Sequence, residues 1–201
     1  MFRGTGFNVP LAGLASALAI GLVACGSSTG TVPAAGADTG TTAAGAEGNS
    51  NSGEAPAILY VDSRYHYRIG APGHMTVNAD GSTAFVGPSE RLQVTVVQGA
   101  KAADVAAFAR DDVAGLPAST AGFHLVAGPG LVSLNGHKVE KFVYNWNAGT
   151  NQVTGKPVTL VGVRYYVPKD ATTMAVITYG IAANQYDPQG ADDIASTFQW
   201  Q

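Results

Sequence analysis

Residues 26–56 read GSSTGTVPAAGADTGTTAAGAEGNSNSGEAP, and 23 of these 31 residues are Gly, Ala, Ser or Thr. None is aromatic, and Val32 is the only large aliphatic among them. Such a stretch cannot bury enough apolar surface to offset the entropy of ordering it. It therefore divides the chain. A folded body must be built from residues C-terminal to it, and the N-terminal residues are joined to that body by a spacer. A coil of this composition and length has a root-mean-square span of about 30 Å.

The N-terminal segment is short and apolar. Arg3 is the only charged residue before Asp38, and residues 9–24 read VPLAGLASALAIGLVA. This run is shorter than the ~20 residues with which a helix spans a bilayer. A basic start, a brief apolar stretch and small residues at its end describe a secretory signal. Here the small residues run directly into Cys25, the only cysteine in the chain. Leu22-Val23-Ala24-Cys25 resembles the bacterial lipobox, in which the cysteine thiol receives a diacylglyceryl group and the peptide before it is removed. Small side chains at 23 and 24 suit a narrow peptidase groove, and a thiolate is the nucleophile that such acylation needs. One acyl chain holds a protein only marginally, whereas two or three give stable anchoring. The expected organisation is a signal peptide at 1–24, a lipidated Cys25 with a flexible linker at 25–57, and a folded domain at 58–201.

The composition of that domain excludes several classes of function. Only 12% of the chain is charged while 46% is hydrophobic. From Ala57 onward ten Lys/Arg stand against eleven Asp/Glu. No basic cluster reaches the density of a nucleic-acid patch, so nucleic acid is not an expected partner. A single cysteine permits no intrachain disulfide, and the body must hold together through its hydrophobic core.

Periodicity gives the elements. Residues 65–69 alternate as a strand with one wet face, ended by Pro72-Gly73. Residues 91–97 form a second strand. Residues 101–116 predict a helix with Val105, Phe108, Ala109, Val113 and Leu116 on one face, Asp112 beside that face, and Pro117 as the stop. A short strand at 123–126 precedes a turn at Gly128-Pro129-Gly130. Asn135-Gly136 between residues 131–134 and 139–146 predicts a two-residue type I′ hairpin, since both residues accept positive φ. A polar loop at 147–156, strands at 158–167 and 173–181 around a Lys169-Asp170 turn, and a short helix at 190–198 complete the reading. Phe142, Tyr144 and Trp146 point one way and Val139 and Val143 the other. Tyr165 and Tyr166 are likewise opposed. Strands apolar on both faces need cover on both sides. The expected fold class is α+β, a mainly antiparallel sheet sandwiched by helices.

The order of these landmarks resembles the PsbP-like superfamily, shared by an extrinsic photosystem subunit and a yeast nuclear-import factor. The matching positions are Tyr67-x-Ile69-x-x-Pro72, Val94-Thr95-Val96 before the first helix, Asn135-Gly136, and Val176-Ile177-Thr178-Tyr179. Tyr186-Asp187 and Ile194-x-x-Thr197-Phe198 complete the set. In its lipobox and linker the chain also resembles the actinobacterial LpqN-type lipoproteins. One departure is His74-Met75, where relatives often carry a Trp soon after the Pro. The resemblance implies a non-catalytic module, an assembly factor or envelope lipoprotein without a shared catalytic motif. It also implies no cofactor.

Other motifs fail on chemistry. Residues 149–157, GTNQVTGKP, differ from a phosphate-binding P-loop in spacing, and Pro157 stands where Ser or Thr would hold magnesium. They lead into a strand, so no helix N-terminus faces the phosphates. His66, His74, His124 and His137 have no metal-ligand spacing. His66 and Arg68 are expected on one wet strand face. No Gly-x-Ser-x-Gly marks a nucleophile. Tyr144, Trp146, Tyr165, Tyr166, Tyr179, Tyr186 and Trp200 cluster late in the chain, as core or as a pocket for an apolar or sugar-bearing ligand. The expected role is a binding or assembly module anchored to the outside of the membrane through Cys25. Its partner would be an envelope protein or a lipid. The alternatives are a lipid or glycolipid carrier and a hydrolase without a recognisable motif.

Overall fold

The computed structural model describes residues 58–151 and 153–201. The leader at 1–24 and the linker at 25–57, Cys25 included, lie outside the described residues. Among the described residues the chain forms two sheets and two α-helices. Strand β1 (Ile58–Asp62) and β2 (Tyr67–Ala71) pair antiparallel, and β10 (Gln199–Trp200) pairs with the other side of β2. The larger sheet uses β3 (His74–Val77), β4 (Thr83–Val86), β5 (Glu90–Gln98), β6 (His124–Leu134), β7 (His137–Thr150), β8 (Pro157–Asp170) and β9 (Thr173–Ala182). Its spatial order is β3-β4-β5-β9-β8-β7-β6, and every pairing is antiparallel. Helix α1 (Val105–Ser119) comes after β5, and α2 (Pro188–Ser196) after β9. The α+β class and the mainly antiparallel sheet are as expected.

Alternation along the central strands divides the apolar residues into two clusters. One contains Val139, Val143, Val163, Tyr165 and Ile177 of the large sheet, Tyr67 and Ile69 of β2, and Ala191 and Ala195 of α2. The other contains Phe142, Tyr144, Trp146, Tyr166 and Val176 with Ala109 and Leu116 of α1. The predicted α1 face is present, since Val105, Phe108 and Val113 pack against the same cluster. The Asp104 carboxylate caps α1 by accepting from the Ala107 N–H. Asp187 caps α2 at Gln189 and Gly190, with Pro188 in the first turn, where a missing N–H costs nothing.

The Asn135-Gly136 hairpin forms as expected, with φ of 50° and 79° and Leu134 opposite His137. Two other glycines carry strict requirements. Gly73 turns the chain between the two sheets at φ 71°, and a Cβ there would lie 1.9 Å from the Val86 carbonyl oxygen. Gly162 lies beneath the Tyr144 ring, and a Cβ there would approach Tyr144 Cζ to 2.5 Å.

Several expectations are corrected. The first strand begins at Tyr67, not residue 65. The Asp62 carboxylate accepts from the Arg64 and Tyr65 N–H groups and folds residues 63–66 into a turn, with His66 at φ 57°. His66 and Arg68 therefore do not share a strand face. Pro117 does not stop α1, which ends at Ser119, because one missing N–H in the last turn removes a single helical bond. The helix also starts later than residue 101, after a short 3-10 turn at Ala100–Ala102. Gly128-Pro129-Gly130 is not a turn but the middle of β6. There two register shifts absorb extra residues as bulges. β6 is an edge strand, where a residue without an N–H is tolerated. Strand β7 continues to Thr150 and β8 to Asp170, so both turns are shorter than expected. Helix α2 spans Pro188–Ser196 and leaves Phe198 beyond its end, packed in the core. The β3–β4 hairpin is an addition that periodicity did not single out.

Gly162→Ala is expected to lower stability by about 1–3 kcal/mol, the usual cost of forcing an extra methyl into a packed core. Urea unfolding measures it, and the cost should shrink when Tyr144→Leu removes the overlying ring.

Candidate functional site

The charged groups nearest the core are engaged in holding the helices. Tyr165 and Tyr166 are neighbours on β8, and each is fully buried in a different cluster. The Tyr165 hydroxyl donates to Asp192 Oδ1 of α2 at 2.7 Å, and Lys141 Nζ of β7 reaches the same oxygen at 2.5 Å. The Tyr166 hydroxyl donates to Asp112 Oδ2 of α1, and Arg164 Nη1 reaches that oxygen at 2.5 Å. Each helix is thus pinned by one carboxylate that accepts from a tyrosine and pairs with a strand cation. Asp112 sits beside the apolar face of α1 because its partners rise from the sheet below. Burial pushes the Tyr165 phenol well above its ordinary value, and the Asp192 hydrogen bond pushes the same way. Burial and then the Asp112 charge do the same to Tyr166. The Arg164 Nε and Arg91 Nε are buried without a hydrogen-bond partner among the described residues.

The aromatic residues singled out from the sequence do not converge on one place. Tyr144, Trp146 and Tyr166 lie in the α1 cluster, whereas Tyr165 and Tyr179 lie in the α2 cluster with half-buried Tyr186 and Trp200. The α1 cluster carries a continuous row of rings. Phe108 meets Tyr166, Tyr166 meets Phe142, Phe142 meets Tyr144 and Tyr144 meets Trp146, with centroids 5.5–6.0 Å apart. These rings pack against one another, the geometry of a core.

The four histidines are exposed and dispersed. His66 lies in the 63–66 turn, His74 on β3, His124 at the start of β6 and His137 at the start of β7. Among the described residues no group of three His, Cys, Asp or Glu side chains could hold a metal ion. Residues 149–157 form the β7–β8 connection, as the sequence predicts. Asn151 organises it by accepting from the Val153 and Thr154 N–H groups, and Pro157 starts β8.

The surface itself is the remaining candidate. Ile58, Leu59 and Val61 of β1 and Met75 and Val77 of β3 are exposed large apolar side chains, as are Leu125, Val126 and Leu131 of β6. β1 and β3 are free edges of their two sheets. Tyr60 of β1 meets Phe85 edge-on at 5.5 Å, and Phe85 is the register partner of Met75. The two free edges therefore meet at one corner and form an apolar ledge. Alternation predicts which face a residue takes but not whether another element covers it, so this ledge was not legible in the sequence.

No protein-family model matches the chain, and no curated protein matches it. Solved structures resemble it at low identity. A Bacteroides thetaiotaomicron protein aligns at 9% identity and TM-score 0.48, over 73% of this chain and 48% of that one, so the chain spans about half of its length. The Saccharomyces cerevisiae Ran-binding protein Mog1p aligns at 12% identity and TM-score 0.49, over 73% of this chain and 96% of that one. LpqN, involved in cell envelope biogenesis of Mycobacterium tuberculosis, aligns at 13% identity and TM-score 0.37, over 73% and 82%. Ran binding and envelope biogenesis are properties of those proteins.

The raised tyrosines set a pH limit. Tyr67, Tyr144, Tyr165 and Tyr166 all have phenols raised by burial. Near pH 10 the unfolded chain releases phenolic protons that the folded chain keeps, so the unfolded state binds fewer protons and stability falls as pH rises. Urea midpoints should be flat from about pH 8 to 9 and then drop, by about 1.4 kcal/mol per pH unit for each such tyrosine. Tyr165→Phe with Tyr166→Phe should flatten that slope.

Proposed function

We propose that this chain is an extracytoplasmic lipoprotein, acylated on Cys25, whose α+β body serves as a non-catalytic binding or assembly module of the cell envelope. The observation that carries the reading is Leu22-Val23-Ala24-Cys25 itself, with the only thiol of the chain at the end of a short apolar run and directly before a spacer. The body fits a binding role. Its core-proximal carboxylates Asp112 and Asp192 are tied to the helix clamps, and Asp62 is tied to the turn at 63–66. Its histidines stand apart, and its exposed features are apolar strand edges.

Membership of the PsbP-like superfamily belongs to the same proposal, as does the sandwiching of the sheet between its two helices. It is supported by where the matched residues fall. Tyr67 and Ile69 are buried in β2, Val94 is buried in β5 ahead of α1, and Ile177 and Tyr179 are buried in β9. Asp187 caps α2, and Phe198 stacks on Tyr67 at 5.3 Å.

In a bacterial host, the chain labelled with palmitate should carry the label in its membrane fraction, and Cys25→Ser should lose the label and leave that fraction. A labelled Cys25→Ser protein, or a mature N-terminus other than residue 25, would contradict the proposal. Crosslinking of the anchored protein in intact envelopes then identifies the partner.

A further inference from the structure

The apolar ledge of β1 and β3 lies directly after the tether. Ile58, Leu59 and Val61 are 39%, 68% and 51% exposed, and Met75 and Val77 are 42% and 58% exposed. Leu59 and Val61 point outward while Tyr60 between them packs inward. In register, Val61 stands beside Arg68 and Arg68 beside Gln199, so the apolar stripe borders a cation on the same outward face. Gln199 Oε1 accepts from the Arg68 Nε at 3.0 Å and holds that guanidinium in place. At the same end of the small sheet, Lys169 Nζ lies 3.3 Å from the Tyr65 carbonyl oxygen and 4.9 Å from the Trp200 ring centroid. The Arg64 guanidinium lies 4.8 Å from the Tyr65 ring centroid. Arg64, Arg68 and Lys169 form no ion pair among the described residues. Asp80, in the adjoining turn, is an exposed carboxylate held by the Ser82 N–H and hydroxyl.

We propose that this ledge is a membrane-docking surface, on which Ile58, Leu59, Val61, Met75 and Val77 settle at headgroup depth while Arg64, Arg68 and Lys169 meet anionic lipid phosphates. The proposal rests on the lipoprotein reading for its tether. Residues 25–57 join the acylated cysteine to β1, and a coil of that length spans about 30 Å. β1 is thus the first folded element within reach of the bilayer. Five aliphatics and three cations give weak attachment alone. The tether makes the contact intramolecular and raises its effective concentration to about the millimolar range. At headgroup depth the unpaired backbone groups of both strand edges remain hydrated, which the hydrocarbon interior would forbid.

The test uses the chain from residue 25 onward, the mature form under this proposal, coupled through Cys25 to a maleimide lipid in vesicles. Chemical coupling replaces cellular acylation, so a chain that takes up no palmitate in cells sinks the lipoprotein reading without touching this result. Hydrogen exchange is compared on phosphatidylcholine vesicles and on vesicles that also contain phosphatidylglycerol. Exchange at residues 58–62 and 74–77 should slow on the anionic vesicles only. Arg68→Gln and Lys169→Gln should each lower the docked-to-free ratio about fivefold. Leu59→Asn with Val61→Asn should abolish the slowing without lowering the urea midpoint. Equal exchange on both vesicle types, or indifference to these substitutions, would overturn the proposal. Slowing that grows with the surface density of coupled protein would overturn it in favour of a second copy on the ledge.

Discussion

Two adjacent tyrosines decide how this body is assembled. In a strand, neighbouring side chains leave on opposite faces, so Tyr165 and Tyr166 send one hydroxyl into each apolar cluster. A phenol buried there must find an acceptor, and each finds an aspartate on a helix. Each aspartate in turn needs a counter-charge, which Lys141 and Arg164 provide from the sheet. The helices are thereby fixed in position as well as held by apolar packing. Apolar burial supplies most of the cohesion but little direction, whereas a shared carboxylate oxygen specifies the place and rotation of a helix. Gly162 complements this on the α1 side by leaving room for the Tyr144 ring, which stacks between Phe123, Phe142 and Trp146.

Much of this was legible in the residues. The opposed faces of Tyr165 and Tyr166, the split of Phe142 and Tyr144 from Val139 and Val143, and the Asn135-Gly136 hairpin come from local rules. The apolar face of α1 was also visible, and so was the oddity of Asp112 beside it. What local rules missed was decided by distant partners. Gly128-Pro129-Gly130 has turn composition, yet β7 beside it draws it into a bulged edge strand. His66 lies in an alternating run, yet the Asp62 carboxylate turns the chain there. The β3–β4 hairpin is only four residues on each side and owes its place to β5.

The functional side divides in the same way. The reading of Cys25 rests on chemistry written in consecutive residues, and the linker on composition, so both are available without a fold. The surface reading needs the fold. Leu59 and Val61 lie outward because Tyr60 packs inward on Phe85, and Arg68 joins them only through strand register. The aromatic stock that suggested a ligand pocket is instead distributed over two cores. Charged groups inside the body hold helices, and the apolar groups left outside gather where the tether enters.

The most direct test of this architecture is a double-mutant cycle in urea unfolding between Asp112→Asn and Tyr166→Phe. The two clamps predict a coupling of about 1–2 kcal/mol within that pair. They predict additivity, within about 0.5 kcal/mol, when Asp112→Asn is combined instead with Tyr165→Phe on the other face. Additivity in the first pair, or equal coupling in both, would contradict the assignment of one tyrosine and one aspartate to each helix.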